Sequence, residues 1–262
     1  MSFNPTEYKV LSFDIYGTLI NWELGIYTGL QTLLSKLPSS DPRHPSQNSP
    51  VPNKAIVLDI LTAYSKLEAE IQIENPTLPY PKVLEAIYSR LASQLSLPAS
   101  EDEIQAFGSS IGKWPAFPDT VAAMQILAKY YKLVVLSNVD KTSFSQTLSG
   151  PLAGVQFDGV YTAEDIGSYK PDLRNFQYMV DQAEKNFGAK KEEVLKVAQS
   201  LYHDHVPAKK FGLRPSVWIR RAGDEAAMGG RWEDMKGDVS LVADFGTLGE
   251  FAEVVEKAFG KK

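Results

Sequence analysis

Short apolar runs separated by amphipathic stretches form the main hydrophobic pattern of the chain. Each run is apolar on both faces, which is typical of strands in a parallel sheet covered by helices on both sides. The runs predict strands at residues 8–14, 132–138, 158–163, 193–200, 215–220 and 239–244. Helical periodicity predicts helices at residues 119–131, 171–187, about 205–211 and 247–259. The alternation of strands with helices therefore predicts an α/β fold with a parallel sheet.

A long segment from about residue 21 to 117 interrupts this alternation, because it contains no convincing strand. Residues 54–73 place apolar side chains at steps of three and four residues, which indicates one face of a helix. A second helix is predicted at 81–95, and Ser100 with Glu103 has the spacing of a capping box that begins a third. The segment is therefore predicted to be all-helical.

The predicted domain organisation follows from that interruption. Residues 1–20 and 118–262 are predicted to form one core, and residues 21–117 a helical domain inserted after the first strand. Within the insertion, residues 37–53 are rich in Pro, Ser and Asn and predict an exposed loop.

Composition and charge narrow the classes of function. The 262 residues are 44% hydrophobic and 23% charged, as in ordinary globular proteins. A net charge of −5 gives no basic field for a phosphate backbone, so we expect no nucleic-acid partner. The sequence has no cysteine, which excludes disulfides and thiolate chemistry and fits a reducing compartment. No signal-peptide pattern and no run of roughly 20 apolar residues is present, so we expect a cytoplasmic protein with no membrane partner.

Polar side chains follow four of the predicted strands. In open parallel sheets the site lies beyond the carboxyl ends of the strands, so we expect these side chains in one crevice. They are Asp14 and Thr18 after the first strand, Ser137 and Asn138 after the second, Lys170 after the third and Asp204 after the fourth. Two carboxylates, a cation and small polar groups in one place favour nucleophilic substitution.

Asp14 is the predicted nucleophile, because an oriented and desolvated carboxylate can divide a difficult displacement into ester formation and ester hydrolysis. A lysine ammonium within about 4–6 Å would keep this carboxylate ionised, which is the predicted role of Lys170. Asp204 is predicted to orient Lys170 or to help activate the hydrolytic water. A substrate carboxylate or a leaving group would be held by uncharged groups, those of Thr18, Ser137 and Asn138.

The segments FDIYGTL, LSN and YKPD, together with the Asp204 region, resemble in order and spacing the four motifs of the haloacid dehalogenase superfamily. The resemblance covers essentially the whole chain. It implies a Rossmann-like parallel-sheet core that carries an aspartate nucleophile, with an inserted all-helical cap domain just after the first strand.

Tyr16 indicates which branch of the superfamily the chain resembles. The phosphatases of the superfamily carry a second aspartate two residues after the nucleophile, which protonates the leaving alcohol. Tyr16 stands at that position, and its unperturbed pKa of about 10 makes it a poor substitute. A halide leaving group needs no proton. The pattern Asp-x-Tyr-Gly-Thr therefore resembles the type II 2-haloacid dehalogenases, and we expect Tyr16 to line the substrate site.

The fourth motif departs from the phosphatase pattern as well. Aligned on Asp204, the position that carries a magnesium-binding acid in phosphatases is Gln199 here. Hard cations prefer carboxylate oxygens, so the loss of an acid at each of two motifs predicts an enzyme with no metal and no other cofactor.

Other positions depart from the dehalogenase pattern. The resemblance implies a cap arginine 25 to 30 residues after the nucleophile, and the arginine nearest to that position is Arg43, inside the Pro/Ser-rich loop. A tyrosine six residues after the lysine and an asparagine three residues before the last aspartate are replaced by Phe176 and Leu201. These differences predict an altered pocket.

Three functional hypotheses remain open. The leading one is a metal-independent hydrolase in which Asp14 displaces halide from C2 of a short, anionic 2-haloalkanoate. The second is a Mg²⁺-dependent phosphatase acting on a small metabolite, and the third is a non-catalytic protein that binds an acid or a partner. Similar proteins suggest a homodimer.

The sequence His203-Asp204-His205 suggests a metal site as well. Because adjacent residues on a strand or a helix point in different directions, we expect the two histidines to lie at the surface or behind the site instead.

Overall fold

The computed structural model describes residues 3–45, 53–75, 78–221 and 229–260. The chain divides into two compact units. The helical unit comprises Trp22–Pro115, and the sheet unit comprises the residues up to Asn21 and from Ala116 onward. No helix among the described residues has both the length and the apolar character that a membrane span requires.

The described part of the helical unit contains helices and no strand, as predicted. The helices are α1 (Trp22–Gly29), α2 (Gln31–Leu34), α3 (Lys54–Glu74), α4 (Tyr80–Gln94) and α5 (Glu101–Gly108). The predicted face of α3 is buried from Ile60 onward, whereas Ile56 and Val57 are partly exposed; its largest fully buried side chain is that of Tyr64. The predicted capping box is present at the start of α5, where Ser100 and Glu103 bond each other's backbone amides.

The predicted loop at 37–53 is described in part, because residues 46–52 lie outside the described residues. Residues 38–40 are exposed as predicted, but Leu37 is buried. Arg43 is partly buried and pairs with Asp41 at 2.8 Å within the same loop.

Six strands form one parallel sheet in the sheet unit, which confirms the predicted fold class. The strands are β1 (Val10–Phe13), β2 (Lys132–Ser137), β3 (Gly159–Thr162), β4 (Val194–Ala198), β5 (Ser216–Ile219) and β6 (Leu241–Phe245), in the order β3-β2-β1-β4-β5-β6. The inner strands β1, β4 and β5 are fully buried, whereas the edge strands β3 and β6 are partly exposed. Apolar runs therefore predicted the edge strands as well, although each edge strand pairs with one neighbouring strand and is partly exposed.

The strand order determines where a site can form. The chain adds β2 and β3 on one side of β1 and then returns to place β4 on the other side, with Val10 in register with both Lys132 and Val194. This reversal is a topological switch point, and it opens a crevice beyond the carboxyl ends of the adjacent strands. The segments that follow β1, β2 and β4 therefore meet at one edge of the sheet.

Helices on the sheet unit include the four predicted ones, with shorter bounds. They are α6 (Thr120–Leu127), α7 (Lys141–Ser149), α8 (Ala163–Ile166), α9 (Leu173–Phe187), α10 (Val206–Phe211), α11 (Trp232–Met235) and α12 (Leu248–Phe259). Neither α8 and α11, of four residues each, nor α7 was predicted. α7 was missed because its sequence KTSFSQTLS is rich in Ser and Thr, which have low helix propensity. The side chain of Asp140 caps it by accepting from Ser143 N.

Candidate active site

The loop after β1 places Asp14 at the edge of the sheet. Asp14 N continues the pairing of β1 with β4 by donating to Val197 O at 3.3 Å. The chain then folds back on itself, so that Thr18 N and Ile20 N both donate to Ile15 O. Gly17 makes this tight turn with a φ of +94°, a left-handed conformation that a side chain would strain. The Gly-Thr pair of the motif therefore determines where the Asp14 carboxylate lies.

Lys170 bridges the two predicted catalytic carboxylates. Its Nζ lies 2.8 Å from Asp14 Oδ1 and 2.8 Å from Asp204 Oδ1. The exposed fractions are 7% for Asp14, 3% for Lys170 and 0% for Asp204, so the three charges are almost completely removed from water. The structure thus brings together the three side chains predicted to be catalytic, although they lie up to 190 positions apart in the sequence.

Thr18 holds the other oxygen of the Asp14 carboxylate. Its Oγ1 donates to Asp14 Oδ2 at 3.1 Å and accepts from Gln199 N at 2.9 Å. Thr18 is fully buried, so this hydroxyl group links the loop after β1 directly to the end of β4. Both oxygens of Asp14 therefore have a donor, which fixes the orientation of the carboxylate.

Ser137 and Asn138 end β2 but differ in their surroundings. Asn138 makes two hydrogen bonds to the backbone of Lys170, donating from Nδ2 to the carbonyl at 2.9 Å and accepting the N–H at 2.7 Å. Ser137 Oγ is buried, with no hydrogen-bond partner among the described residues. Asn138 thus positions Lys170, and substrate contact by Ser137 or Asn138 remains a prediction.

Tyr16 contacts a different part of the sheet unit. Its hydroxyl group lies 3.0 Å from Thr147 Oγ1 on α7, and burial raises its pKa above the ordinary value. A phenol with a raised pKa holds its proton through the whole physiological range. Tyr16 is therefore a neutral group beside the carboxylates, and its contact with substrate remains a prediction.

Asp204 lies in a π-helix, Leu201–His205, inserted between β4 and α10. Such insertions are frequent at functional sites, because one wider turn redirects a side chain. Ser200 caps this turn by accepting from His203 N at 3.0 Å. The π-helix places Asp204 beyond the end of β4, within 2.8 Å of Lys170 Nζ.

Sequence reasoning did not identify Lys196 as a second cation in this cluster. Lys196 lies in the middle of β4, has an exposed fraction of 0%, and its Nζ lies 2.8 Å from Asp204 Oδ1. The sequence did contain a signal, a lysine inside the otherwise apolar run EVLKVA. A lysine in a buried strand is seldom unpaired, so this residue indicated a buried partner of opposite charge.

Burial and charge act in opposite directions on the ionisable groups of the cluster. Burial alone would raise the pKa of Asp204, but the charges of Lys170 and Lys196 outweigh it and hold the pKa below its ordinary value. Burial would lower the pKa of Lys170, but Asp14 and Asp204 raise it above its ordinary value. For Lys196 burial prevails, and its pKa lies below the ordinary value. Asp204 and Lys170 are therefore a stable ion pair at neutral pH.

The side chains of His203, Asp204 and His205 contact three different sets of partners. His203 Nδ1 lies 3.1 Å from Ser200 Oγ, whereas His205 is fully buried with Nε2 2.9 Å from Ala198 O. Burial lowers the pKa of His205 to about 4, so its imidazole is neutral. Among the described residues no group of three His, Cys, Asp or Glu side chains could hold a metal ion.

The two positions that depart from the dehalogenase pattern are apolar and completely buried. Phe176 packs in the cluster between the sheet and α9, and Leu201 packs with Trp218 and Val239. These residues therefore fill the core where the resemblance implies a hydroxyl group and an amide. Lys170 donates a hydrogen bond to Asp204, and Lys196 forms an ion pair with it.

Ligands bind at the topological switch point of open parallel sheets, and here a buried Asp-Lys-Asp cluster lies at that point. The model of the haloacid dehalogenase-like hydrolases matches residues 8–204, which is most of the chain. The protein therefore belongs to the family of haloacid dehalogenase-like hydrolases.

Individual relatives are similar at low identity. The (S)-2-haloacid dehalogenase H-109 of Pseudomonas putida is 28% identical over 130 residues, a match that spans 49% of this chain and 55% of that relative. The structure of the L-2-haloacid dehalogenase PA0810 superimposes with a TM-score of 0.71 at 20% identity and covers 95% of this chain and 99% of its own. The L-2-haloacid dehalogenase from Xanthobacter autotrophicus with chloropropionic acid covalently bound gives a TM-score of 0.68 at 16% identity, covering 95% and 98%. At these identities the structural likeness establishes the fold.

Proposed function

We propose that the protein is a metal-independent 2-haloacid dehalogenase acting on short 2-haloalkanoic acids. The observation that carries the proposal is the position of the Lys170 ammonium, 2.8 Å from both Asp14 and Asp204. An ammonium group at this distance favours the ionised form of a carboxylate, and a buried ionised carboxylate is a strong nucleophile.

The proposed reaction has two steps. In the first, a carboxylate oxygen of Asp14 forms a bond to C2 of the substrate, and the carbon–halogen bond breaks as the halide leaves with the electron pair. In the second, water attacks Cγ of the resulting ester, and the bond between Cγ and the substrate oxygen breaks. One water proton goes to the departing oxygen, which gives a 2-hydroxy acid, and Asp14 ionises again by releasing the other.

The neighbouring groups support distinct parts of this reaction. Thr18 donates to Asp14 Oδ2, so the carboxylate is held while it attacks. Ser137 Oγ is buried without a partner among the described residues, so it suits the carboxylate of a 2-haloacid. Asp204 retains its charge beside Lys170 and suits the orientation of the hydrolytic water.

The same contacts argue against the Mg²⁺-dependent phosphatase hypothesis. A Mg²⁺ ion binds oxygen atoms in octahedral geometry, one or two of them from carboxylates. Here the Lys170 ammonium group already bridges the carboxylates of Asp14 and Asp204. Gln199 offers an amide at the position where phosphatases have an acid, and Tyr16 is a neutral phenol with a raised pKa. These residues do not fit the ion, so we propose that no metal takes part.

Two further observations support a dehalogenase. Relatives that match in sequence are named (S)-2-haloacid dehalogenases, and the Xanthobacter autotrophicus structure holds chloropropionic acid covalently. Because the matched segment spans 55–60% of those relatives, the activity and the substrate remain proposals for this chain.

Halide release tests the proposal. Purified protein is incubated with chloroacetate and with each enantiomer of 2-chloropropionate, in buffer with EDTA, and Asp14→Asn serves as the control. We expect halide release from at least one haloacid that EDTA leaves unchanged and Asp14→Asn abolishes. In ¹⁸O-labelled water, a single turnover should place the label on Asp14 and not directly in the product.

Each alternative hypothesis has its own outcome in the same set of assays. Hydrolysis of p-nitrophenyl phosphate that EDTA abolishes, without halide release, would establish the phosphatase and overturn the proposal. Binding of 2-chloropropionate or lactate by calorimetry, with no turnover of either substrate class, would establish a non-catalytic acid-binding protein.

A further inference from the structure

Four buried residues of alternating charge form a series of ion-pair contacts in the sheet unit. Asp14 contacts Lys170, Lys170 contacts Asp204, and Asp204 contacts Lys196, and each of the three contacts is 2.8 Å. None of the four residues has an exposed fraction above 7%. We call these four residues the charge chain.

The charge chain is neutral because it contains Lys196. A buried net charge is costly, since the low-dielectric interior does not compensate it as water does. Without Lys196 the chain would contain two carboxylates and one ammonium group, and Lys170 would be shared between them. With Lys196 present, the number of lysines equals the number of carboxylates, and both lysines lie 2.8 Å from the same oxygen of Asp204, Oδ1.

Other ionisable groups near Asp204 do not alter this balance. His205 is bonded to Ser216 Oγ and Ala198 O, and its low pKa of about 4 makes it neutral. Burial and the charge of Lys170 lower the pKa of His203 as well, so it too is neutral at pH 7. Among the described residues, Lys170 and Lys196 are therefore the basic groups within ion-pair distance of Asp204.

The two proposed reaction steps change the charge of this chain in opposite directions. When Asp14 becomes an ester it loses its negative charge, so Lys170, Asp204 and Lys196 together carry one net positive charge. When water then attacks Cγ, negative charge develops on the Asp14 carbonyl oxygen, beside Lys170. A fixed positive charge favours the second step, because it stabilises the negative charge that develops there. It opposes the first step, because Asp14 loses its negative charge in that step.

We propose that Lys196 is a positioning residue for hydrolysis of the Asp14 ester: it holds Asp204 ionised and leaves the charge chain with a net positive charge in the ester state. This inference rests on the proposed dehalogenase function. Lys196, a residue outside the four motifs, thereby determines which of the two half-reactions limits turnover.

Single-turnover kinetics of Lys196→Met test the proposal, because methionine has the length of lysine without its charge. Rapid mixing with 2-chloropropionate measures halide release, and intact-protein mass spectrometry of quenched samples measures the Asp14 ester. We expect ester hydrolysis to slow roughly tenfold or more and ester formation to change far less. The variant should then release a burst of about one halide per active site and accumulate the ester.

Two control variants accompany this experiment. Lys185→Met removes an exposed lysine on α9 and should leave both half-reactions unchanged. Lys196→Arg retains the charge and should restore hydrolysis relative to Lys196→Met. If Lys196→Met does not fold, judged by its thermal unfolding, Lys196→Gln takes its place.

Equal slowing of both half-reactions in Lys196→Met, or no change in either, would overturn the proposal. A wild-type protein that forms no ester and releases no halide would instead refute the proposed function. In that case carboxyl ¹³C NMR still decides the role of Lys196, since the Asp204 titration should move to higher pH in Lys196→Met. An Asp204 titration that stays unchanged overturns the proposal whatever the substrate.

Discussion

The side-chain amide of Asn138 pairs with the backbone of Lys170 through both of its polar atoms. The two hydrogen bonds, of 2.9 Å and 2.7 Å, join the end of β2 to the loop before α9. Asn138 therefore holds the backbone of Lys170, while the side chain of Lys170 reaches Asp14. The amide of Asn138 thus acts on the proposed nucleophile through the lysine.

Replacement of Asn138 should therefore reduce activity without removing a group that reacts. Asn138→Ala leaves the Lys170 N–H and carbonyl without these partners, and we expect a loss of roughly ten- to a hundredfold in kcat. Asn138→Asp keeps the acceptor but sets a carboxylate against the Lys170 carbonyl, so it should be impaired as well. Steady-state halide release measures the effect, with Asn186→Ala on the exposed face of α9 as control. A kcat for Asn138→Ala equal to that of the control would contradict this role.

Removal of the Lys170 ammonium should be the most damaging change in the site apart from loss of Asp14. Lys170→Met leaves two buried carboxylates with Lys196 as the remaining cation, and one of them is expected to take up a proton. We expect kcat to fall at least about a hundredfold and the unfolding free energy to fall by about 3–5 kcal/mol. Halide release and urea unfolding measure the two effects. Full activity in Lys170→Met would be incompatible with the proposed nucleophile.

The hydroxyl group of Thr18 should contribute through its two hydrogen bonds. Thr18→Val preserves the shape of the side chain but removes the donor to Asp14 Oδ2 and the acceptor for Gln199 N. An unsatisfied buried group costs about 1–3 kcal/mol, so unfolding should occur at a correspondingly lower urea concentration. Thr18→Ser retains the hydroxyl group and should lie close to the wild type. Equal stability of the valine and serine variants would exclude a contribution from these bonds.

Arg221 should stabilise the loop that carries Asp14. Its Nε donates to Thr18 O at 2.9 Å, and Nη1 pairs with Asp119 Oδ1 at 2.6 Å. Its φ of +53° is strained for a side chain other than glycine, so these contacts must outweigh a local cost. We expect Arg221→Met to lose about 2–4 kcal/mol of unfolding free energy, and the exposed Arg220→Met to lose little. Thermal and urea unfolding of the two variants provide the comparison.

Glu68 in the helical unit should make stability depend on pH. Glu68 is buried and accepts a hydrogen bond from the hydroxyl group of Tyr80, which in turn lies 2.9 Å from that of Tyr64. Burial outweighs this hydrogen bond and raises the pKa of Glu68 from 4.5 to about 7. The folded state therefore keeps a proton that the unfolded state loses, and stability falls as the pH rises from about 4.5 to about 7.

The matched variant for this prediction is Glu68→Gln, which cannot ionise. Relative to Glu68→Gln, the wild type should lose about 3 kcal/mol of unfolding free energy between pH 4.5 and pH 8. Urea unfolding at several pH values measures the difference. A constant difference between the two proteins across this range would show that Glu68 does not titrate there.

The sequence by itself determined the strands, their alternation with helices and the chemistry of the strand ends. Apolar runs located all six strands, and the capping box at Ser100 located the start of α5. These signals are local, because period and capping depend on residues a few positions apart. Asp14, Lys170 and Asp204 could be selected for the same reason, since each stands beside a strand or turn that the sequence marks.

The tertiary structure decided which of these groups meet, and it added Lys196. The order β3-β2-β1-β4 places the ends of β1 and β4 side by side, and the π-helix then directs Asp204 toward both lysines. Neither feature has a local signal, because strand order depends on pairing between distant segments and a π-helix differs from an α-helix by one residue. A lysine inside a strand is compatible with solvent on one face as well as with a buried ion pair. The packing of α9 and α10 over β4 excludes water there, and this turns four ordinary charged residues into one coupled charge chain.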